Sequence, residues 1–489
     1  MEPGGTRARI LAEATFFAES PKAPAATTAT KEHPTDVESA KADPSRPAPG
    51  LLSGRYRLPT MGIVLVITLL AFETMAVGTV MPVVADDLDG LPLYGWSFSG
   101  MLIFSMLATV LAGGWIDRRG PARPLLSGLA VFVAGLVIAG TAPWMAALVA
   151  GRAVQGVGSG LTLVAVYVMV ARVYPERLRP RVFAATSTAW VLPSLIGPSA
   201  GGVIAEHVHW RLVFLGLVPL VVPAALMLLP ALRSIGRAEP QSAPSARQGR
   251  VKAAFVTAFA AAAVLYAADA PGLSALPAAV LGLAGLGWGL PRLLPPGTLR
   301  LRRGVPATVA ARGLLAGAFF GTDVFIPLAL TSLHGFSPTQ AGLVLTLASL
   351  SWSAASQYQG RSRRPRAFFV LSGAVLVAVG VVATSVALQL SGWWAAPAWV
   401  VGGAGMGLAL SGLSVLILNQ SPVEEQGVNT SALQLSDTLG SSLAIGLAGA
   451  LATAFGADRL ELGLRTGAAL LVVIAVVGVV AARRVEARP

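Results

Sequence analysis

The apolar residues of this chain fall in long unbroken blocks of about 18 to 25 residues, set apart by short charged or Pro/Gly-rich breaks. A block of that length crosses a hydrocarbon core of about 30 Å as a helix. Lipid offers no water to the backbone, so each N–H and C=O must find its partner within the segment. Repeated blocks of this kind therefore have to be helices. Composition agrees, with 54% of residues hydrophobic and 12% charged, about half the charged share of a soluble domain. A soluble protein with buried core helices is excluded, and the expected fold class is all-α integral membrane.

Residues 1–55 are rich in Pro, Ala, Thr and charge and are expected to form a disordered cytoplasmic tail. Arg7 and Arg9 precede no apolar run, so no cleavable signal peptide is expected and the first membrane helix serves as the targeting signal. Fourteen helices are expected, at 60–83, 94–116, 125–142, 145–170, 182–205, 212–232, 253–269, 273–291, 306–331, 338–358, 367–389, 396–418, 428–455 and 465–482. The seventh and eighth are Ala/Gly-rich and interrupted by Pro271 and Pro277. With those two set aside, the rest form two six-helix halves. The chain then divides into the tail, an N-terminal half (56–232), a basic loop with two inserted helices (233–304) and a C-terminal half (305–489).

Arginine tests this layout. Alternate loops carry Arg118, Arg119 and Arg123, then Arg172, Arg177, Arg179 and Arg181, then Arg233, Arg237, Arg247, Arg250 and Lys252. The alternation continues with Arg292, Arg300, Arg302 and Arg303, with Arg361, Arg363, Arg364 and Arg366, and with Arg483, Arg484 and Arg488. The intervening loops hold Arg211, Arg459, Arg465 and the acidic run Asp86-Asp87-Leu88-Asp89. One loop departs from the pattern: Asn419 to Gly427 carries Glu424 and Glu425 and no base. The bias toward positive cytoplasmic loops places both termini in the cytoplasm of a multi-pass plasma-membrane protein. The net charge of +13 is thus topological, and no nucleic-acid partner is expected.

Other chemistries drop out. The absence of cysteine excludes disulfides, thiolate metal sites and cysteine nucleophiles. His33, His207, His209 and His334 are scattered, so neither a metal site nor a Ser-His-Asp set is expected, and the chain does not read as an enzyme. The strings Gly156-Val-Gly158-Ser-Gly160 and Gly403-Ala-Gly405-Met-Gly407 lie inside apolar blocks with no preceding strand and no Lys-Ser/Thr. They fit close helix contact rather than a nucleotide loop. Asn429-Thr-Ser431 is a glycosylation sequon in spelling only, on the expected inner side.

Four motifs carry a family resemblance. The loop after the second helix reads Gly113-Gly-Trp-Ile-Asp117-Arg118-Arg119-Gly120-Pro-Ala-Arg123. The fourth helix holds Arg152-Ala-Val-Gln155-Gly156-Val-Gly158, and the fifth holds Gly197-Pro198-Ser-Ala-Gly201-Gly202 before Trp210-Arg211-Leu-Val-Phe214. The first helix reads Phe72-Glu73-Thr-Met-Ala-Val-Gly-Thr-Val-Met-Pro82. Together these resemble the major facilitator superfamily, and within it the fourteen-helix drug:proton antiporter branch. Pro193, Met75 and Gly78 depart from the family pattern. Physically, Gly113 permits close contact, and Asp117 suits the positive N-terminal end of a neighbouring helix at an inner gate. Arg152 in an apolar helix either faces a cavity and a partner or snorkels to the interface. Pro198 removes a backbone bond and the glycines around it allow close approach. An internal echo adds to this: Glu73 and Asp323 sit in the first helix of each half, ahead of Pro82 and Pro327. Gly440 corresponds to Gly197, and Gly360-Arg361-Ser-Arg363-Arg364 corresponds to the Asp117 loop without its acid. Such repeats mark transporters that rock two halves about a midplane site.

The resemblance implies proton-coupled efflux of small lipophilic or cationic compounds by alternating access, by a monomer in the bilayer, with the proton as coupling ion and no cofactor. The coupling group is expected among buried carboxylates, in the order Glu73, Asp323, Asp437, with Arg152 as a nearby cation. Trp96, Met101, Phe104, Met106, Trp190, Phe319, Phe320, Phe325 and Trp352 are candidates to line a lipophilic cavity, although periodicity does not separate cavity from lipid. Alternatives are a proton-coupled transporter of a metabolite, lipid or siderophore, and a non-transporting membrane sensor. Idle buried charges are costly, which weighs against the sensor.

Overall fold

The computed structural model describes residues 51, 53–234, 245–270 and 272–486. Most of the expected tail, His33, Arg237, Pro271 and Arg488 lie outside them. In chain order the helices are α1 (Arg57–Asp87), α2 (Tyr94–Arg119), α3 (Ala122–Gly140), α4 (Met145–Val173) and α5 (Arg179–His207). Then come α6 (Arg211–Leu215), α7 (Val218–Ser234), α8 (Ser245–Asp269), α9 (Ala275–Leu293) and α10 (Val305–His334). The last are α11 (Pro338–Arg361), α12 (Arg366–Leu390), α13 (Ala395–Gln420), α14 (Gln426–Thr453) and α15 (Leu460–Ala482). The short α6 and α7 make up one apolar span, Arg211–Arg233, so the fourteen expected segments are all helical.

Among the described residues, thirteen spans are long and apolar enough to cross a membrane. The exception is α11, whose second half carries Ser349, Ser351, Ser353, Ser356, Gln357 and Gln359. Two of those groups bond to a neighbouring helix, since α11 lies between α5 and α13. Ser351 donates to the Val400 carbonyl at 2.8 Å and Ser356 to that of Gly407 at 3.1 Å. α11 begins with a capping box, Ser337 with Gln340, and Pro338 at its first position. One expectation is corrected here. Pro277 does not interrupt the eighth helix; it is the third residue of α9, where its missing N–H has no intrahelical acceptor to lose. Asn429 is buried in the first turn of α14 and donates to the Ser421 hydroxyl at 2.9 Å.

The helices repeat their contacts. In the first half α1 packs on α5 and α7, and α4 on α2 and α3; in the second α10 packs on α14 and α15, and α13 on α11 and α12. The glycine strings are why. A Cβ on Gly156 would fall 2.2 Å from the Met101 carbonyl oxygen on α2, and one on Gly158 2.3 Å from the Phe132 nitrogen on α3. On α13, Gly407 meets the Trp352 carbonyl of α11 at 2.3 Å and Gly405 the Val377 nitrogen of α12 at 2.6 Å in the same sense. Gly197 and Gly201 lie against α1, and Gly440 against Gly313 of α10. The described residues thus form an all-α bundle of two six-helix halves with two extra helices between them, the fold that the resemblance to the major facilitator superfamily implies, in a multi-pass integral membrane protein. The extra pair is not remote. Leu265 of α8 sits against Gly446 of α14, and Ala258, Ala261 and Leu265 share one cluster with Ile103, Met106 and Leu107 of α2.

The halves are joined on the arginine-poor face. A Cβ on Gly202 of α5 would lie 2.5 Å from the Pro338 carbonyl oxygen, and one on Gly342 of α11 2.5 Å from that of Pro198. Ser199 and Thr346 share a hydrogen bond of 2.8 Å, and Glu206 accepts from the Thr339 N–H at 3.1 Å. Gly95 of α2 lies within van der Waals distance of Gly449 of α14, and Ser99 and Ser442 exchange hydrogen bonds to each other's carbonyls. Overfilling such a contact costs about 1–3 kcal/mol. Gly202→Val should therefore wedge α5 from α11. In this cysteine-free chain, a cysteine placed at Thr346 should react with a membrane-impermeant maleimide about tenfold faster in that background, the equivalent of about 1.4 kcal/mol. An unchanged rate would mean that this seam does not hold the face shut.

Candidate functional site

The midst of α1 brings a carboxylate to an arginine of α4. Glu73 and Arg152 are 0% and 2% exposed, and Arg152 Nη1 donates to Glu73 Oε1. The guanidinium makes two further bonds: Nε donates to the Ser97 carbonyl at 3.0 Å and Nη1 to Gln155 Oε1 at 3.0 Å. Glu73 Oε2 and Gln155 Nε2 are buried without a hydrogen-bond partner. Both orphaned atoms border the pair, one an acceptor and one a donor. Arg152 does not snorkel; it is anchored by three residues from α1, α2 and its own helix.

This cluster is linked to the other half through one turn of α2. Ser97 supplies its carbonyl to Arg152, and its hydroxyl donates to the Tyr94 carbonyl at 2.7 Å. Tyr94, buried, donates its hydroxyl to the Val324 carbonyl of α10 at 2.9 Å, across the closed seam. Val324 follows Asp323, whose Oδ1 accepts from the Trp399 indole at 2.8 Å. Trp399 stacks on Phe319 with ring centroids 4.7 Å apart, and Trp352 meets Phe319 edge-on at 5.3 Å. Phe320 joins the same group.

The expected coupling residues do not form one cluster. Glu73 and Arg152 come together, with Gln155 beside them. Asp323 belongs to the aromatic group of the second half. Asp437 is paired elsewhere, with Arg312, an arginine the sequence reading overlooked. Arg312 of α10 donates from Nε and Nη2 to Asp437 Oδ2 at 2.7 and 2.6 Å, and from Nη1 to the Leu410 carbonyl and Ser414 hydroxyl of α13. The available signal was a lone arginine inside the apolar block at 306–331. The candidate cavity aromatics also divide. Phe319, Phe320 and Trp352 gather near Asp323, while Trp96 and Met106 pack toward the inserted helices. Trp96 donates to Asp269 of α8 at 2.5 Å.

At the end of α2, Gly120 adopts φ 75° and closes the helix through a 2.7 Å bond to the Ile116 carbonyl, a conformation that favours glycine. Asp117 is half-buried and has a partner. Arg118 folds back onto the Gly114 carbonyl at 3.1 Å, and Arg119 and Arg123 are exposed. On the opposite face the Trp-Arg pair ties helix ends together: Trp210 and Arg211 both bind Asp87 of α1, and Arg211 also donates to the Ala142 carbonyl.

Comparison with known proteins follows the same lines. Residues 63–445 match the Major Facilitator Superfamily. An uncharacterized MFS-type transporter of Mycobacterium tuberculosis is 28% identical over 414 residues, covering 79% of this chain and 58% of the relative. The chain thus spans little more than half the length of that relative. The multidrug transporter protein MdtP of Bacillus subtilis is 25% identical over 409 residues, covering 80% of this chain and 74% of MdtP. Among solved structures, an auto-inhibited POT family peptide transporter superposes with a TM-score of 0.64 at 17% identity, over 88% of this chain and 99% of that one. A bacterial homolog of the human lysosomal transporter Spinster, in an inward-facing and occupied conformation, does so with a TM-score of 0.63 at 14% identity, over 89% and 100%. At these identities the structures speak for the fold alone.

Breaking a buried ion pair from one side leaves the other charge stranded, at about 3–5 kcal/mol. Arg152→Gln should lower the thermal stability of the purified protein by an amount of that order. The double variant Glu73→Gln/Arg152→Gln should recover most of the loss. Equal melting temperatures for Arg152→Gln and wild type would show that the two groups do not depend on each other.

Proposed function

The chain belongs to the Major Facilitator Superfamily, and from that premise we propose that it exports small lipophilic or cationic compounds against their gradient by exchange for protons. The observation that carries this reading is the buried Glu73–Arg152 pair with one carboxylate oxygen left over. A carboxylate at that depth can be held in two ways. Ionised, it answers Arg152; neutral, it avoids the loss of hydration that burial imposes on charge. Such a group passes between a proton-loaded and a proton-free form as access alternates, and the membrane potential contributes about 2.3 kcal/mol per charge per 100 mV. Asp323, beside stacked aromatic rings, suits a lipophilic cation in the second half. The Arg312–Asp437 pair ties α10 to α13 and α14 and is secondary in coupling on this reading.

The arginine-poor face is taken as the outside, with both termini in the cytoplasm of a plasma-membrane protein. The arrangement described here is then closed to the outside, with Glu73 ionised and paired. In this proton-free form the seam is held by α2: Arg152 grips Ser97, and Tyr94, one turn away, grips α10. Proton loading of Glu73 removes the counter-charge from Arg152 and loosens that grip. A cationic compound seated at the aromatic group beside Asp323 then moves in exchange for the proton that Glu73 releases, the two sites being coupled through Ser97, Tyr94 and Val324. Asp117 and its loop would steer the opposite face, with the bilayer and the transported compound as the partners the function requires. The similarity to MdtP supports the multidrug sense of this reading. The activity is transport rather than catalysis, by a monomer and without a cofactor.

The test is uptake into proteoliposomes with an imposed pH gradient and ethidium as the probe cation, followed by a wider panel. Glu73→Gln should lose gradient-driven ethidium movement by about tenfold or more, about 1.4 kcal/mol in the driving step. Exchange of ethidium down its own gradient should persist, since that step needs no change of charge. Wild-type transport that ignores the pH gradient would remove proton coupling. Gradient-driven transport at the wild-type rate in Glu73→Gln would move the role to Asp323 or Asp437.

A further inference from the structure

Away from the central pair, a cavity of about 400 Å³ opens between α10, α12, α14 and α15 near the arginine-poor face. Small residues line it: Ala448 and Ala452 on α14, and Gly467 and Ala468 on α15. Its inner wall is Phe325 and Thr322 of α10. The volume lies in the range of small-molecule and lipid-chain pockets. Two features set it apart from an idle gap. Thr384 of α12, which lines it, is 0% exposed and its hydroxyl has no hydrogen-bond partner. At the rim, Glu461 and Arg465 form an ion pair at the start of α15, both about half exposed, with Gln389 of α12 on the other side.

Depth decides what fits. Thr384 is six residues before Leu390, the end of α12, about 9 Å along the helix. Exposed Trp393 and Trp394 stand just beyond that end, where indole rings favour the membrane interface. The rim pair thus sits near headgroup level and the cavity below it in the hydrocarbon. The surrounding faces of α12 and α15 expose Val382, Val386 and Val473, so the guest arrives from the bilayer. The rim offers one positive and one negative charge side by side, which matches a headgroup carrying both phosphate and ammonium. The walls take hydrocarbon, and the Thr384 hydroxyl, buried and unpartnered at the wall, meets an ester oxygen once its side chain turns toward the guest. An unpaired hydroxyl in such surroundings is costly unless a guest meets it.

We propose that this cavity between α10, α12, α14 and α15 binds one acyl chain of a zwitterionic phospholipid from the leaflet on the arginine-poor side, with its headgroup at Glu461 and Arg465. The site is separate from Glu73 and stands whether or not that residue carries a proton. The occupant shares a wall with the helix that bears Asp323, so occupancy and the position of α10 are linked.

Photolabelling tests it on the full chain in nanodiscs, with a phosphatidylethanolamine that carries a diazirine in one acyl chain. Labelling should concentrate on α12 and α15 peptides bordering the cavity, above that on the exposed face of α9 around Leu281 and Leu283. Ala468→Trp, which fills the mouth, should cut cavity labelling about tenfold. Thr384→Val should cut it about threefold, the scale of one neutral hydrogen bond, and Thr384→Ser should restore it. A phosphatidylglycerol with the same chain should label the cavity less. Labelling no denser than on α9, indifferent to Ala468→Trp and to the Thr384 variants, would overturn the site. Displacement of the label by ethidium would overturn it too, by assigning the cavity to the transported compound.

Discussion

Two opposite charges buried side by side hold the centre of this bundle to a single arrangement. Glu73 and Arg152 are almost wholly withdrawn from solvent, and each alone would cost several kcal/mol at that depth. Their geometry is therefore shared among three helices: α1 supplies the acid, α4 the base and Gln155, and α2 a backbone carbonyl. The same turn of α2 reaches across to α10 through Tyr94. Under proton coupling at Glu73, a change of one proton would act on the contact between the halves through these bonds.

The two halves repeat in backbone contact but not in charge. Glycines on α4 and α13 bring neighbouring carbonyls equally close, because a helix flanked by two others in a tight bundle tolerates no side chain at those points. The first half places its ion pair between α1 and α4. The second places its pair between α10 and α14, and keeps a different acid, Asp323, against Trp399. A repeated scaffold thus carries asymmetric chemistry, an ion pair buried in the first half and an acid among aromatic rings in the second.

Much of this was legible from the sequence. Apolar blocks marked out the fourteen helical segments, and arginine spacing set alternate loops apart. Glu73 and Arg152 could be singled out because ionisable groups in apolar helices are expensive and rare. Their pairing was foreseen only as a nearby cation, since 79 residues separate them and no local spacing encodes the contact. Arg312 escaped for a related reason. It lies in an apolar block, and its partner is 125 residues away. Pro277 misled because a proline reads as a break unless the helix start is known to fall just before it. The aromatic residues could not be sorted, because a face turned to lipid, to a neighbouring helix or to a cavity has the same period. The closed face was equally hidden, since alternative packings of one transporter differ by only a few kcal/mol.

The central claim is that the charge state of Glu73 governs the seam on the arginine-poor face. The chain has no cysteine, so cysteines placed at the exposed Val208 and Leu390, in opposite halves, can carry a unique pair of spin labels. Distances between them, measured by double electron–electron resonance in nanodiscs over a range of pH, report the opening of that face. The account predicts that acidification lengthens the distance distribution, and that Glu73→Gln gives the long distribution at every pH. A distribution that shifts with pH in Glu73→Gln as it does in the parent would contradict it.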